Sequence, residues 1–308
     1  MNVLVIGKGK SGTTVISKTI QHSLPGSCFH MEPKEVGYFE RIQPHPQGDV
    51  IKILFDPWMR RLRLLNGIVH GETGCRFDKI VAIIRDPRDV LISETLYRPF
   101  NVLRRVSGRD AFTPMIELLR EKEADPRAVS FAEIIDCSDR ICPKIEIVRG
   151  AGGQYLHWLS QLIRGKSKDV PLHVLRYEDF IADRTADLSD FLGVPLSDER
   201  DVGKFQRTRR SAASDNWRRW FTSADIARFK PLLQPMIEQW GFTTEWDLDP
   251  SPSIAAAEGS TYVERLLDEA ETVAVRKSRK NVGDNPRETP EQAETLKQRR
   301  ARSQRQET

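Results

Sequence analysis

The sequence predicts an α/β fold with a parallel central sheet flanked by helices. Short aliphatic runs recur at 3–6, 51–55, 79–84 and 171–176. Continuous apolar runs of that length mark strands buried on both faces. Helical stretches alternate with the runs, as parallel pairing requires. The first run also breaks into a loop rich in glycine, lysine and hydroxyls, Gly7-Lys8-Gly9-Lys10-Ser11-Gly12-Thr13-Thr14. Strand, glycine-rich loop and helix N-terminus together are how such folds hold a phosphate, because backbone N–H groups and the helix end face the anion.

Each element follows from local chemistry. Val3-Leu4-Val5-Ile6 is β-branched and aliphatic and reads as a buried strand, with a helix starting at Val15. Residues 27–31 read as a short second strand and Ile51–Phe55 as a third. Lys79–Ile84 is a buried strand that ends at Arg85-Asp86-Pro87, where Pro87 suits the first turn of a helix over 88–98 and Asp86 its N-cap. Residues 99–150 are charged and irregular, with Pro99, Pro114, Pro126 and Pro143, and are expected to be an insertion of helices and loops that caps the site. A strand at 171–176 leads through Tyr177-Glu178-Asp179-Phe180 into a helix ending near Leu192, with the acids capping and orienting it. Ser223 is the expected N-cap of a helix to Gly241. One domain is therefore expected over 1–250, followed by a charged tail over 251–308, helical at 261–278 and disordered from about 279.

The totals suit a globular chain with a sizeable core: 308 residues, 39% hydrophobic and 30% charged. A net charge of +4 is too small to point to nucleic acid by itself, but it fits an anionic ligand. No run approaches the roughly 18 apolar residues of a membrane span. A strand starting at residue 3 leaves no room for a signal peptide, so a cytoplasmic protein is expected. Cys28, Cys75, Cys137 and Cys142 lack metal-ligand spacing and read as reduced thiols.

The phosphate loop is not a Walker A sequence, which needs lysine directly after its second spaced glycine. Here Lys10 precedes Gly12. The order Lys10-Ser11-Gly12-Thr13-Thr14 resembles the 5′-phosphosulfate loop of sulfotransferases that use 3′-phosphoadenosine 5′-phosphosulfate (PAPS). Arg85 closes the strongest strand, and Ser93 lies eight residues on. The stretch Arg85-Asp86-Pro87-Arg88-Asp89-Val90-Leu91-Ile92-Ser93 resembles the 3′-phosphate motif of the same family. A third stretch, Arg209 to Thr222, is similar to the family's C-terminal loop at Arg210, Trp217, Arg218, Phe221 and Thr222. Ala212 and Asp215 stand where that loop has glycines, and whether Arg209 or Arg210 carries the role stays open. The resemblance spans about residues 1–245. It implies the P-loop-like sulfotransferase fold and PAPS as donor, with adenosine 3′,5′-bisphosphate as product and no metal required.

Sulfuryl transfer needs positioning, charge neutralisation on the leaving phosphate and a base at the acceptor proton. Lys10 is the natural electrophile at the leaving oxygens, with Ser11, Gly12, Thr13 and Thr14 around the 5′-phosphate. The base is sought in His30–Arg41, after the second strand. Lys34-Glu35-Val36-Gly37-Tyr38-Phe39 resembles a stretch of heparan-type carbohydrate sulfotransferases whose Glu is the base. Glu35 is thereby the first candidate, Glu32 the second and His30 the third. The same resemblance leans toward a carbohydrate or glycolipid hydroxyl or amine as acceptor, with no nucleic-acid partner. Arg60, Arg61 and Arg63 read as a solvated helix face or as a contact for an anionic glycan. Two other readings stand beside this one: a P-loop kinase or NTPase, with Asp56 its weak Walker B candidate, and a non-catalytic nucleotide binder.

Overall fold

The computed structural model describes residues 1–106, 108–142, 153–164, 170–203, 206, 210 and 213–283. β1 (Val3–Gly7) runs through the glycine-rich loop into α1 (Thr13–His22), followed by β2 (Cys28–Met31), α2 (Val36–Arg41), β3 (Asp49–Leu54) and α3 (Leu62–Val69). Next come β4 (Lys79–Ile84), α4 (Pro87–Val102), α5 (Thr113–Ala124), α6 (Phe131–Ile141) and α7 (Gly153–Arg164). After β5 (Leu172–Arg176) the chain forms α8 (Tyr177–Ile181), α9 (Ala186–Leu192), α10 (Trp217–Trp220), α11 (Ser223–Gln239) and α12 (Ser260–Gly283).

The strands form one five-stranded sheet in the order β2-β3-β1-β4-β5, and every pairing is parallel. β1 is central, with Gly7 opposite Leu54 on one side and Ile83 on the other. The loops that leave β1, β3 and β4 therefore emerge together at the carboxyl edge, where open parallel sheets bind ligands. Side chains alternate faces along each strand. Leu4 and Ile6 join a large core with Ile51, Ile53, Ala82 and Ile84, whereas Val3 and Val5 join a smaller one with Val50, Val81 and Ile83. α1, α8 and α9 cover the smaller core with Ile16, Ile20, Phe180, Leu188 and Leu192. Helices thus cover both faces, as the sequence predicts.

Asp86 caps α4, its carboxylate accepting from the Arg88 N–H at 2.8 Å, with Pro87 as the first helical residue. α11 departs from expectation by one residue. Thr222, not Ser223, is its N-cap, closed by a reciprocal box with Asp225. Asp225 also accepts the N–H groups of Phe131 and Ala132, so one carboxylate serves the starts of α11 and α6.

Within the span 99–150, expected to cap the site, Phe100 and Asn101 at the end of α4 line the cavity at the sheet edge, while the described residues that follow build core. Phe112, Met115, Leu119, Phe131, Ile134 and Ile135 of α5, α6 and their approach are fully or almost fully buried. The expected tail also enters the core. Tyr262, Val263, Leu266, Leu267 and Ala270 of α12 are buried in the large cluster, because their spacing forms one apolar helix face. Residues 279–283 continue that helix, and 284–308 lie outside the described residues.

Candidate active site

A cavity of about 700 Å³ opens at the carboxyl edge of the sheet. Its walls come from the loop after β1, the residues after β2 and β3, Arg85 after β4 and Tyr177 after β5. The loop turns inward because two residues take left-handed backbone angles, Lys10 at φ 68° and Gly12 at φ 81°. Gly12 must be glycine, since a Cβ there would sit 2.2 Å from the Tyr177 ring. Lys10 pays strain that residues outside functional sites rarely carry.

Lys10, Arg85 and Arg210 all line the cavity. Arg85 Nη1 donates to the Lys10 carbonyl at 3.0 Å, which joins the two phosphate-like motifs directly. The Arg85 guanidinium lies 4.5 Å from the Tyr177 ring centroid, and the Lys10 ammonium lies 3.8 Å from that of Tyr97. Burial, then the charges of Arg85, Arg210 and Lys52, hold the Lys10 ammonium well below the ordinary lysine value. Burial and Arg85 likewise lower Arg210 to about 10. Arg210 Nε and Nη1 and Arg85 Nε are buried without a hydrogen-bond partner. Clustered cations that oppose one another and hold unused N–H groups fit an anionic ligand.

The remaining candidates divide. Gly12, Thr13, Thr14, Glu32 and Ser93 line the same cavity. Ser11 does not, and its hydroxyl donates to the Lys8 carbonyl at 2.7 Å, closing the loop on itself. Glu35 is exposed at the N-cap of α2 and lies outside the lining. The chain turns at Glu32, whose φ is 51°, before Pro33; Lys34 beyond the turn still lines the cavity, whereas the next side chain, Glu35, does not. Trp217 is fully buried behind the wall. Its ring stacks on Arg88 at 4.0 Å, and its backbone N–H donates to Asp89 at 3.0 Å. The other Asp89 oxygen is 3.6 Å from Arg85 Nη2, so Trp217 bears on Arg85 through Asp89. Arg209 lies outside the described residues. His30 is not in the lining either. Its ring nitrogens engage Asp49 at 2.7 Å and the Tyr38 hydroxyl. The Cys28, His30 and Asp49 ligand atoms lie within 4.8 Å of one another, a grouping that sequence spacing does not reveal.

Several wall residues escape motif reading. Lys52 is buried mid-strand in β3, and its ammonium donates to Glu32 at 2.5 Å and to Thr14 Oγ1 at 2.9 Å. A lysine inside an aliphatic strand is itself a signal, because buried lysines are rare unless paired. Lys8 pairs with Asp56 at 2.9 Å and with Glu94. Burial works against its charge, but the two carboxylates outweigh it and raise the Lys8 ammonium. Asp56 also accepts the Gly9 N–H at 2.8 Å, so both its oxygens are committed to the loop. Burial raises the Glu94 carboxyl despite Lys8.

No protein-family model and no curated protein matches this chain. Among solved structures, it is similar to mouse sulfotransferase SULT7A1 complexed with PAP, with a TM-score of 0.45 and 15% identity over 77% of this chain and 84% of that one.

Proposed function

We propose that this chain is a PAPS-dependent sulfotransferase, which moves a sulfuryl group to a hydroxyl or amine of a carbohydrate or glycolipid acceptor. The observation that carries the reading is the meeting of two phosphate-like sequences, 75 residues apart, through the Arg85–Lys10 contact in one cavity wall. The donor supplies the activated sulfuryl group and an adenosine bisphosphate leaving group. Lys10 neutralises charge that develops on the leaving oxygens, and Gly12, Thr13 and Thr14 hold the 5′-phosphate. Arg85 and Ser93 hold the 3′-phosphate, with Arg210 beside them. An anion at this wall relieves the mutual repulsion of Lys10, Arg85 and Arg210. Binding therefore raises the Lys10 ammonium back toward its ordinary value.

Glu32 is the preferred base, since it lines the cavity and Glu35 does not. Lys52 fixes its carboxylate from behind at 2.5 Å. It receives the acceptor proton as the acceptor oxygen or nitrogen bonds to sulfur and the sulfur–phosphate oxygen bond breaks. A kinase reading asks Asp56 to serve a nucleotide-bound cation, yet that carboxylate is engaged by Lys8 and Gly9.

The test is thermal stabilisation by adenosine 3′,5′-bisphosphate against Mg·ATP, on the wild type and on Arg85→Ala. A ligand at a hundred times its Kd stabilises by about 2.7 kcal/mol. The expected result is a shift with the bisphosphate without Mg²⁺, lost in an Arg85→Ala protein that still melts cooperatively. A shift with Mg·ATP alone overturns the assignment.

A further inference from the structure

The segment between β3 and α3 has an unusual surface. Among the described residues, the exposed large hydrophobics are Met59, Leu62, Leu64, Ile163 and Leu232. The first three fall within six residues, at 40%, 38% and 42% exposure. Arg60, Arg61 and Arg63 are interleaved with them, all exposed, and no carboxylate occurs from 57 to 71. Arg60 and Arg63 have no hydrogen-bond or ion-pair partner among the described residues. Arg61 instead anchors the segment. Its Nη2 donates to the Lys34 carbonyl at 3.2 Å, and its guanidinium lies 5.0 Å from the Trp58 ring centroid. Lys34, Asp56 and Pro57 line the cavity, so the patch borders its mouth. Leu62 also lines a second cleft of about 450 Å³ with Phe55 and Trp158.

We propose that residues 59–64 dock this protein on an anionic lipid bilayer, with the cavity mouth at the membrane surface. Exposed apolar side chains alternating with unneutralised arginines match both components of such a surface. The acyl boundary takes Met59, Leu62 and Leu64, and headgroup phosphates take Arg60 and Arg63. The folded core lies behind the patch, with Trp58, Leu65 and Ile68 fully buried. The patch is thus held rigidly rather than formed on binding. The proposal does not rest on the reaction assigned above.

The experiment is co-sedimentation of the full chain with phosphatidylcholine vesicles, with and without phosphatidylserine. It compares the wild type with Arg60→Gln/Arg63→Gln and with Leu62→Gln/Leu64→Gln. Arg61 is kept because it holds the segment in place. Each arginine near an anionic surface contributes about a fivefold gain in partition, so the arginine pair is expected to lower binding about 30-fold. The leucine pair is expected to lower it as well, and added salt to weaken the wild type more than the arginine variant. Both variants must melt as the wild type does, which their exposure predicts. The chain's basic end, Lys297 to Arg305, is present in every protein compared. Wild-type binding by both variants, equal binding to neutral vesicles, or no vesicle binding at all overturns the proposal.

Discussion

At the scale of single residues, this site is defined by side chains placed against their own preference. Lys10 is half-buried among cations, Glu32 sits at a left-handed φ of 51°, and Lys52 occupies the middle of a buried strand. Such placements persist only where surrounding structure enforces them, and they concentrate at working sites. They separate the two glutamate candidates. Glu32→Gln is expected to lower turnover about a hundredfold or more while the bisphosphate still stabilises the protein. Glu35→Gln is expected to leave turnover near that of the wild type. Steady-state turnover of both variants decides it, and loss of activity confined to Glu35→Gln would reverse the assignment. The motif suggests Glu35 because spacing along the chain carries no information on which side chains face the cavity: Glu32 and Lys34 line it, and Glu35 beside them is exposed.

Elements meet at the carboxyl edge through carboxylates that bridge helix starts. Glu178, in the first turn of α8, accepts the Asp86 N–H at 2.9 Å and so ties α8 to the start of α4. Burial raises its carboxyl to about 7 from an ordinary value of 4.5. Because the folded pKa is the higher one, the folded chain holds the extra proton between these values. Stability therefore falls as pH rises from about 4.5 to about 7 and levels off above it. Relative to wild type, Glu178→Gln should lack a change on the order of 3 kcal/mol across that window, read from denaturant midpoints at several pH values. Parallel slopes for the two proteins would show that Glu178 does not titrate in this range. The acids of Tyr177–Phe180 do not cap the helix that follows them, as the sequence suggests: Glu178 serves the start of α4 and Asp179 pairs with Arg184, while the Tyr177 ring stacks on Arg85 and packs on Gly12.

On the scale of the whole molecule, the sheet carries two unequal cores. The larger depends on a helix that is distant in sequence. α12 buries Tyr262, Val263, Leu266 and Leu267 at 0–1% exposure. Fully burying one such side chain contributes about 1.5–3 kcal/mol, so together they rival the 5–15 kcal/mol by which a typical domain is stable. A chain ended at Gly259 should therefore show no cooperative thermal transition. Leu266→Ala in the full chain should cost about 2–5 kcal/mol. A cooperative melt of the shortened chain would make α12 an accessory rather than part of the fold. Residues 251–308 read as tail because the charge total dominates their composition, while the apolar face that matters is a few side chains per turn.

The sequence by itself determined the parallel sheet, its strands, the phosphate-like loop, the Arg85 motif and the Asp86 cap. All of these rest on contacts between near neighbours in the chain or on burial patterns with a fixed period. Only the tertiary structure decided that Lys52 stands behind Glu32 and that Tyr177 closes on Gly12. It alone sets Trp217 one layer behind Arg85 through Asp89, and sends Ser11 into its own loop rather than the cavity. Apart from the Ser11 turn, these are contacts between different elements of the fold. Their geometry depends on how far each strand runs and which way the chain leaves it, and no local spacing encodes that.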